Sequence, residues 1–270
     1  MTSSCHPEPS ATLRGADGAD GKDGMMEKTT IIALISAWIA GIGSAFFIKL
    51  ILLIASVVFA LIYIFGKDPR KRTLRKALAS ICFFLYGLTA LLWQLIIRAG
   101  KTDAFTLLIL AGLALGAAGD VLLEMSGKKP RLFMIGGASF AAGHLFYVAG
   151  FLTVYTRSAP AAAAAGVLLA AAITLSLCFS LGIAGKKRYA LAVYAFVLSF
   201  MTCSAVITAA VTRDARFMRI APGAVLFLAS DVLLAVNMFS KKKRKAVGTV
   251  CLICYYAGQL LIASGLHAWI

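Results

Sequence analysis

From residue 29 onward the chain alternates between long apolar runs and short basic clusters. The runs fall at about 29–65, 77–97, 104–125, 131–156, 160–184, 188–211, 219–239 and 246–268. A helix rises 1.5 Å per residue, so roughly 20 apolar residues carry it across the hydrocarbon core. The runs are continuous rather than alternating, which excludes a membrane β-barrel. The pattern predicts an all-α, polytopic helical membrane bundle of about eight transmembrane helices.

The first run is too long for one span and short for two. A single span over about 48–65 gives eight helices; a split near Gly41 and Gly43 gives nine. We take eight core spans within a transmembrane domain over 48–270, with 29–47 as an extra or interfacial apolar segment. Residues 1–28 differ in kind: they hold five of the eleven acids, two prolines and little that forms a core. They read as a disordered acidic tail. No basic start leads directly into an apolar stretch, so this is a poor signal peptide.

Composition agrees with the pattern. The chain is 61% hydrophobic and 14% charged, where soluble domains carry about 25% charged residues. The net charge of +16 would raise nucleic acid as a partner in a soluble protein, but here the basic residues collect in loops and act on orientation. Seventeen of the 27 Lys and Arg lie in "KDPRKRTLRK" (67–76), "KKPR" (128–131), "KKR" (186–188) and "KKKRK" (241–245), against six in the alternate loops. The positive-inside rule then places the basic loops in the cytoplasm and the C-terminus on the opposite side. The six cysteines form no disulfide framework. Cys251 and Cys254 make a CxxC within a span, which reads as small packing residues.

A repeat lies in the pattern. "GDVLLEMSGKK" at 119–129 echoes "SDVLLAVNMFSKKK" at 230–243, and one span later "AGHL" at 142–145 echoes "AGQL" at 257–260. Four spans separate the copies, so both have the same orientation. That predicts two parallel four-helix repeats related by an axis along the membrane normal.

Within the apolar runs the acids are Asp120, Glu124 and Asp231. An aspartate at a helix centre costs roughly 2.5–3.5 kcal/mol on insertion scales and normally faces the bundle interior with a functional role. By helical rise Asp120 lies about 12 Å, and Asp231 about 15 Å, inside the basic edge. The repeat sets them opposite one another. Two carboxylates in one low-dielectric site do not both ionise cheaply, which leaves an acid beside a base. Gly112, Gly116, Asp120 and Glu124 share a helix face, as do Gly136, Phe140, His144, Tyr147 and Phe151; Tyr255 and Gln259 are four apart in the last span. These stripes predict one cavity with aromatic walls. The plainer readings are interhelical glue for His144 or Gln259, a surface carboxylate for Glu124, and interfacial positions for Asn237 and His267.

Four pieces in order carry a resemblance: Gly119–Asp120, FxxGxxxFxxGHxxYxxxF from Phe133 to Phe151, GAxLFxxSDxxLA from Gly223 to Ala235, and YYxGQxLI from Tyr255 to Ile262. Over roughly residues 70 to 270 the chain resembles the YhhN family, which includes the lysoplasmalogenases, multi-span hydrolases of the vinyl-ether bond in lysoplasmalogens. The resemblance implies Asp120 and Asp231 as the catalytic pair. Lys76 matches the basic residue that opens the family's second span, although the proline that often follows it is Ala77 here.

Vinyl-ether hydrolysis needs one protonated carboxyl and one carboxylate. No cofactor is expected, and no metal: the three histidines, His6, His144 and His267, lack ligand spacing. The expected partners are a lysolipid and the bilayer, with its phosphate near Lys76 at the basic rim and His144, Tyr147 and Gln259 orienting the pair. The rival readings are a proton-coupled transporter, a lipid-binding membrane protein and a non-catalytic scaffold. The first suits parallel repeats with midplane acids but would favour proline-broken spans in both halves.

Overall fold

The described residues of the computed structural model are 43–44, 46–97, 100–127 and 129–268. The acidic tail expected over 1–28 and all but a few residues of the 29–47 segment lie outside them. Among the described residues there is no strand, and eight helices are long and apolar enough to cross a membrane. They are α1 (Phe46–Phe65), α2 (Arg72–Ile97), α3 (Ala104–Ser126), α4 (Pro130–Val154), α5 (Ala159–Leu181), α6 (Lys186–Thr212), α7 (Ala215–Phe239) and α8 (Lys245–Gly265). Lys49–Ile270 form one compact unit.

Local chemistry sets the helix ends. Asp103 caps α3 by accepting from the Thr106 amide at 2.7 Å, and Asp214 caps α7 by accepting from the Arg216 amide at 2.8 Å. Hydrogen bonding from Arg216 holds the Asp214 carboxyl below the usual aspartate range. Pro130 and Pro160 stand at the starts of α4 and α5, where a missing amide costs nothing. Gly182, at φ +64°, ends α5 in the left-handed conformation.

The span expected to open near residue 77 opens instead at Arg72. Asp68 caps a 3-10 turn over Pro69–Lys71 that runs directly into α2. The basic side chains there have partners as the helix starts: Arg72 meets Glu124, Arg75 donates to the Asp68 and Lys71 carbonyl oxygens, and Lys76 meets Asp120. This brings Arg72, Arg75 and Lys76 onto the helix proper.

The outer surface is that of a membrane protein. Phe179 is 86% exposed and Ile96 73%, with Leu168 and Met134 similarly bare. In water such a surface would aggregate; in a bilayer it meets acyl chains. Polar side chains go inward instead, among them Lys76, Ser80, Asp120, His144 and Gln259.

Helix pairing follows the repeat. α3 packs on α4 and α7 on α8, while α2 joins α3 and α6 joins α7. Each of the first two pairs crosses at a glycine couple. A methyl group added to Gly112 would lie 2.9 Å from the Gly143 carbonyl oxygen, and one added to Gly143 would lie 3.0 Å from that of Gly112. For Gly223 and Gly258 both reciprocal distances are 2.8 Å. These are small-residue crossings that let two backbones touch. Gly112 stands eight residues before Asp120 and Gly223 eight before Asp231, and Gly143 and Gly258 are the glycines of AGHL and AGQL. The two halves therefore hold their aspartates from matching crossings. Pro222 lies inside α7, which continues unbroken to Phe239; the matching position in α3 is Ala111.

Candidate active site

Asp120 is buried on α3 and surrounded by donors. Ser80 Oγ donates to its Oδ2 at 2.5 Å and the Tyr255 hydroxyl to the same oxygen at 2.6 Å. Lys76 Nζ stands 3.2 Å from Oδ1. Lys76 and Asp120 are both under a tenth exposed, so this is a buried ion pair with the carboxylate's remaining lone pairs satisfied. Helical spacing explains the grip: Lys76 and Ser80 are four apart on α2 and present a cation and a hydroxyl on one stripe.

Asp231, partly buried on α7, has a different setting. The Tyr194 hydroxyl donates to its Oδ2 at 2.6 Å, and no cation pairs with it among the described residues. The same hydroxyl lies 3.5 Å from His144 Nε2. His144 is 1% exposed, and its other nitrogen, Nδ1, is buried without a hydrogen-bond partner.

An aromatic wall joins the two centres. The Phe227 ring, one turn from Asp231 on α7, meets the edge of His144 at 4.8 Å between centroids and Tyr255 at 5.3 Å. Phe140 closes on Tyr255 at 6.0 Å. A buttress lies behind: Tyr147 donates to Gln259 Oε1 at 3.1 Å, and Gln259 Nε2 donates to the Tyr255 hydroxyl at 3.3 Å. Six helices, α2, α3, α4, α6, α7 and α8, thus converge on two carboxylates in unlike surroundings: both accept from a phenol, but Asp120 is also paired with a cation and Asp231 has none among the described residues.

A family model, that of the YhhN family, matches residues 71–266. The chain belongs to the YhhN family. No curated protein and no solved structure matches it. The matched segment takes in every helix that builds the two-carboxylate site and leaves out α1.

In this YhhN protein Lys76, Asp120, His144, Tyr147, Tyr255 and Gln259 all turn inward, though not always to the expected partner. Lys76, expected beside a phosphate at the rim, is spent on Asp120. Gln259 acts on Asp120 only through Tyr255. Glu124, one turn beyond Asp120, is held by Arg72 and Tyr63. His267, expected at an interface, is 5% exposed; its Nε2 lies 3.0 Å from the Tyr86 carbonyl oxygen. Asn237 does sit at a helix end, where its side chain accepts from the Arg244 amide. Cys251 is buried and bonds the Ser230 carbonyl, a packing role.

Sequence reasoning missed Ser80, Tyr194, Arg72 and Tyr63. Ser80 carried a usable signal, its place four residues after Lys76. Tyr194 carried little, since a tyrosine in an apolar run is commonplace. Among the described residues, no three His, Cys, Asp or Glu side chains gather as a metal site would need.

Proposed function

We propose that this protein is a membrane hydrolase that cleaves the vinyl-ether bond of lysoplasmalogens, releasing a fatty aldehyde and a glycerophospho-headgroup. The observation that carries the reading is the unlike setting of two carboxylates linked through the Phe227 and Tyr255 rings. Asp120, beside Lys76, is the standing carboxylate; Asp231, hydrogen-bonded by Tyr194 and with no cation paired to it among the described residues, is the group that carries a proton. Membership of a family that includes lysoplasmalogenases agrees with this chemistry.

The reaction then runs as follows. Asp231 gives its proton to the β-carbon of the vinyl ether, and the electron pair of the double bond forms the new C–H bond. The α-carbon becomes an oxocarbenium centre that the negative charge of Asp120 stabilises. Water adds to that carbon, and its proton returns to the Asp231 carboxylate. The hemiacetal's bond to the glycerol oxygen then breaks, its hydroxyl proton passing to that oxygen, so that a free glycerol hydroxyl and an aldehyde are left. Buried His144 Nδ1 is available to accept from the attacking water.

Purified protein in detergent should release long-chain aldehyde from a lysoplasmalogen and none from the saturated-ether analogue, whose bond carries no protonatable double bond. Absence of aldehyde, together with flux of a labelled solute into vesicles carrying the protein, would turn the reading to a carrier.

We also propose that the basic loops face the cytoplasm, on the 17-to-6 division of charge between the two sets of loops. A cysteine introduced between residues 241 and 245 should react with a membrane-impermeant reagent only after the cells are opened. Labelling in intact cells would reverse the orientation.

A further inference from the structure

A second ion pair lies one helical turn outside the first. Arg72 precedes Lys76 by four residues on α2, and Glu124 follows Asp120 by four on α3. Arg72 Nε is 2.6 Å from Glu124 Oε1. Tyr63 of α1 donates its hydroxyl to Glu124 Oε2 at 2.7 Å and accepts from Arg72 Nη2 at 3.3 Å, with the guanidinium carbon 5.4 Å from the tyrosine ring centre. The inner and outer pairs differ in access. Lys76 is 9% exposed in its side chain and Arg72 58%. The outer cation therefore stands at the mouth of the site, held by a carboxylate that another anion can replace.

A lysolipid supplies such an anion at the right reach. Three glycerol carbons and an oxygen separate its sn-1 ether oxygen from its phosphorus, a span comparable with one helical turn of about 5.4 Å. With the ether bond at the inner layer, the phosphate falls at the outer one. The exposed planar fork of Arg72 suits a phosphate bidentately, whereas Lys76 is committed to Asp120. We propose that Arg72 binds the phosphate of the lysolipid headgroup, and that Glu124, fastened by Tyr63, holds the guanidinium in place until substrate arrives. This rests on the lysolipid reading of the inner site. Glu124 is then a competitor of the substrate rather than a helper, and α1, outside the matched family segment, contributes to the mouth through Tyr63.

The test uses ligands that the proposed reaction cannot cleave. Binding of a 1-O-alkyl-glycerophosphocholine to the detergent-purified full chain is compared with that of the 1-O-alkylglycerol of equal chain length, which lacks the phosphate. Arg72→Gln should lower the ratio of the two affinities by about tenfold or more, as loss of one charge-assisted hydrogen bond does. Glu124→Gln should raise the ratio. An unchanged ratio in Arg72→Gln overturns the proposal. Should that variant not fold, an unchanged or lowered ratio in Glu124→Gln overturns it instead. Inorganic phosphate at millimolar concentration should leave the bound lysolipid in place; phosphate binding that is lost in Arg72→Gln while the lipid affinity ratio stays unchanged would assign the arginine to free phosphate and reject the lipid assignment. No bond breaks in these measurements, so a failed aldehyde assay sinks the hydrolase reading alone.

Discussion

Asp120→Asn and Asp231→Asn should each reduce aldehyde release by about 10²- to 10⁴-fold, the range that general acid–base catalysis contributes. Asparagine keeps the shape and one hydrogen-bond acceptor of each side chain but neither donates a proton to carbon nor carries a negative charge. Asp231→Asn removes the proton donor. Asp120→Asn removes the charge that steadies the oxocarbenium ion. Each step is needed in every turnover, so the double variant should fall little below the worse single one, as for groups that act as a unit. Glu124→Gln, one turn further out, should cost far less catalytic rate than either. The check is kcat/KM on a lysoplasmalogen, with size-exclusion profiles and thermal unfolding in detergent to show that the variants fold. Activity within a few-fold of wild type in either asparagine variant would end the mechanism and leave the aspartates a structural or transport role.

The span count and the inward faces of α3, α4 and α8 were legible because each is a periodic property of one segment. A continuous apolar run gives a span, and glycines, aspartates and aromatics at four-residue spacing give a face. The partners of the aspartates were less legible. Which residue of α6 meets Asp231 depends on the rotation and height of one helix against another, and nothing within "KKRYALAVYAFV" marks Tyr194 above Tyr189. The structure puts the first 2.6 Å from Asp231 and leaves the second exposed beside Arg188. Charge was misleading in one respect. A basic cluster next to a span reads as a loop, yet α2 starts inside it, and two of its cations, Arg72 and Lys76, enter ion pairs with α3. The pairing of Lys76 with Asp120 is also what breaks the symmetry of the two halves. The repeat alone presents two equivalent aspartates, and the partners supplied by α2 and α6 tell them apart: Lys76 and Ser80 on Asp120, Tyr194 on Asp231.

That separation makes a second prediction, on stability. Lys76→Gln should destabilise the protein by about 3–5 kcal/mol, the usual cost of breaking a buried ion pair from one side. Ser80 and Tyr255 would still donate to Asp120, but no cation would balance it. Asp120→Asn added to Lys76→Gln should recover much of the loss, because a neutral amide needs no cation and retains an acceptor for Ser80 and Tyr255. By contrast, Asp231→Asn added to Lys76→Gln should recover much less, since Lys76 pairs with Asp120 and not with Asp231. Thermal unfolding of the two double variants in one detergent measures the difference as a coupling energy. Equal recovery by the two asparagine substitutions would mean that Lys76 does not distinguish the carboxylates, and the assignment of Asp120 as the standing carboxylate and Asp231 as the proton donor would fall with it.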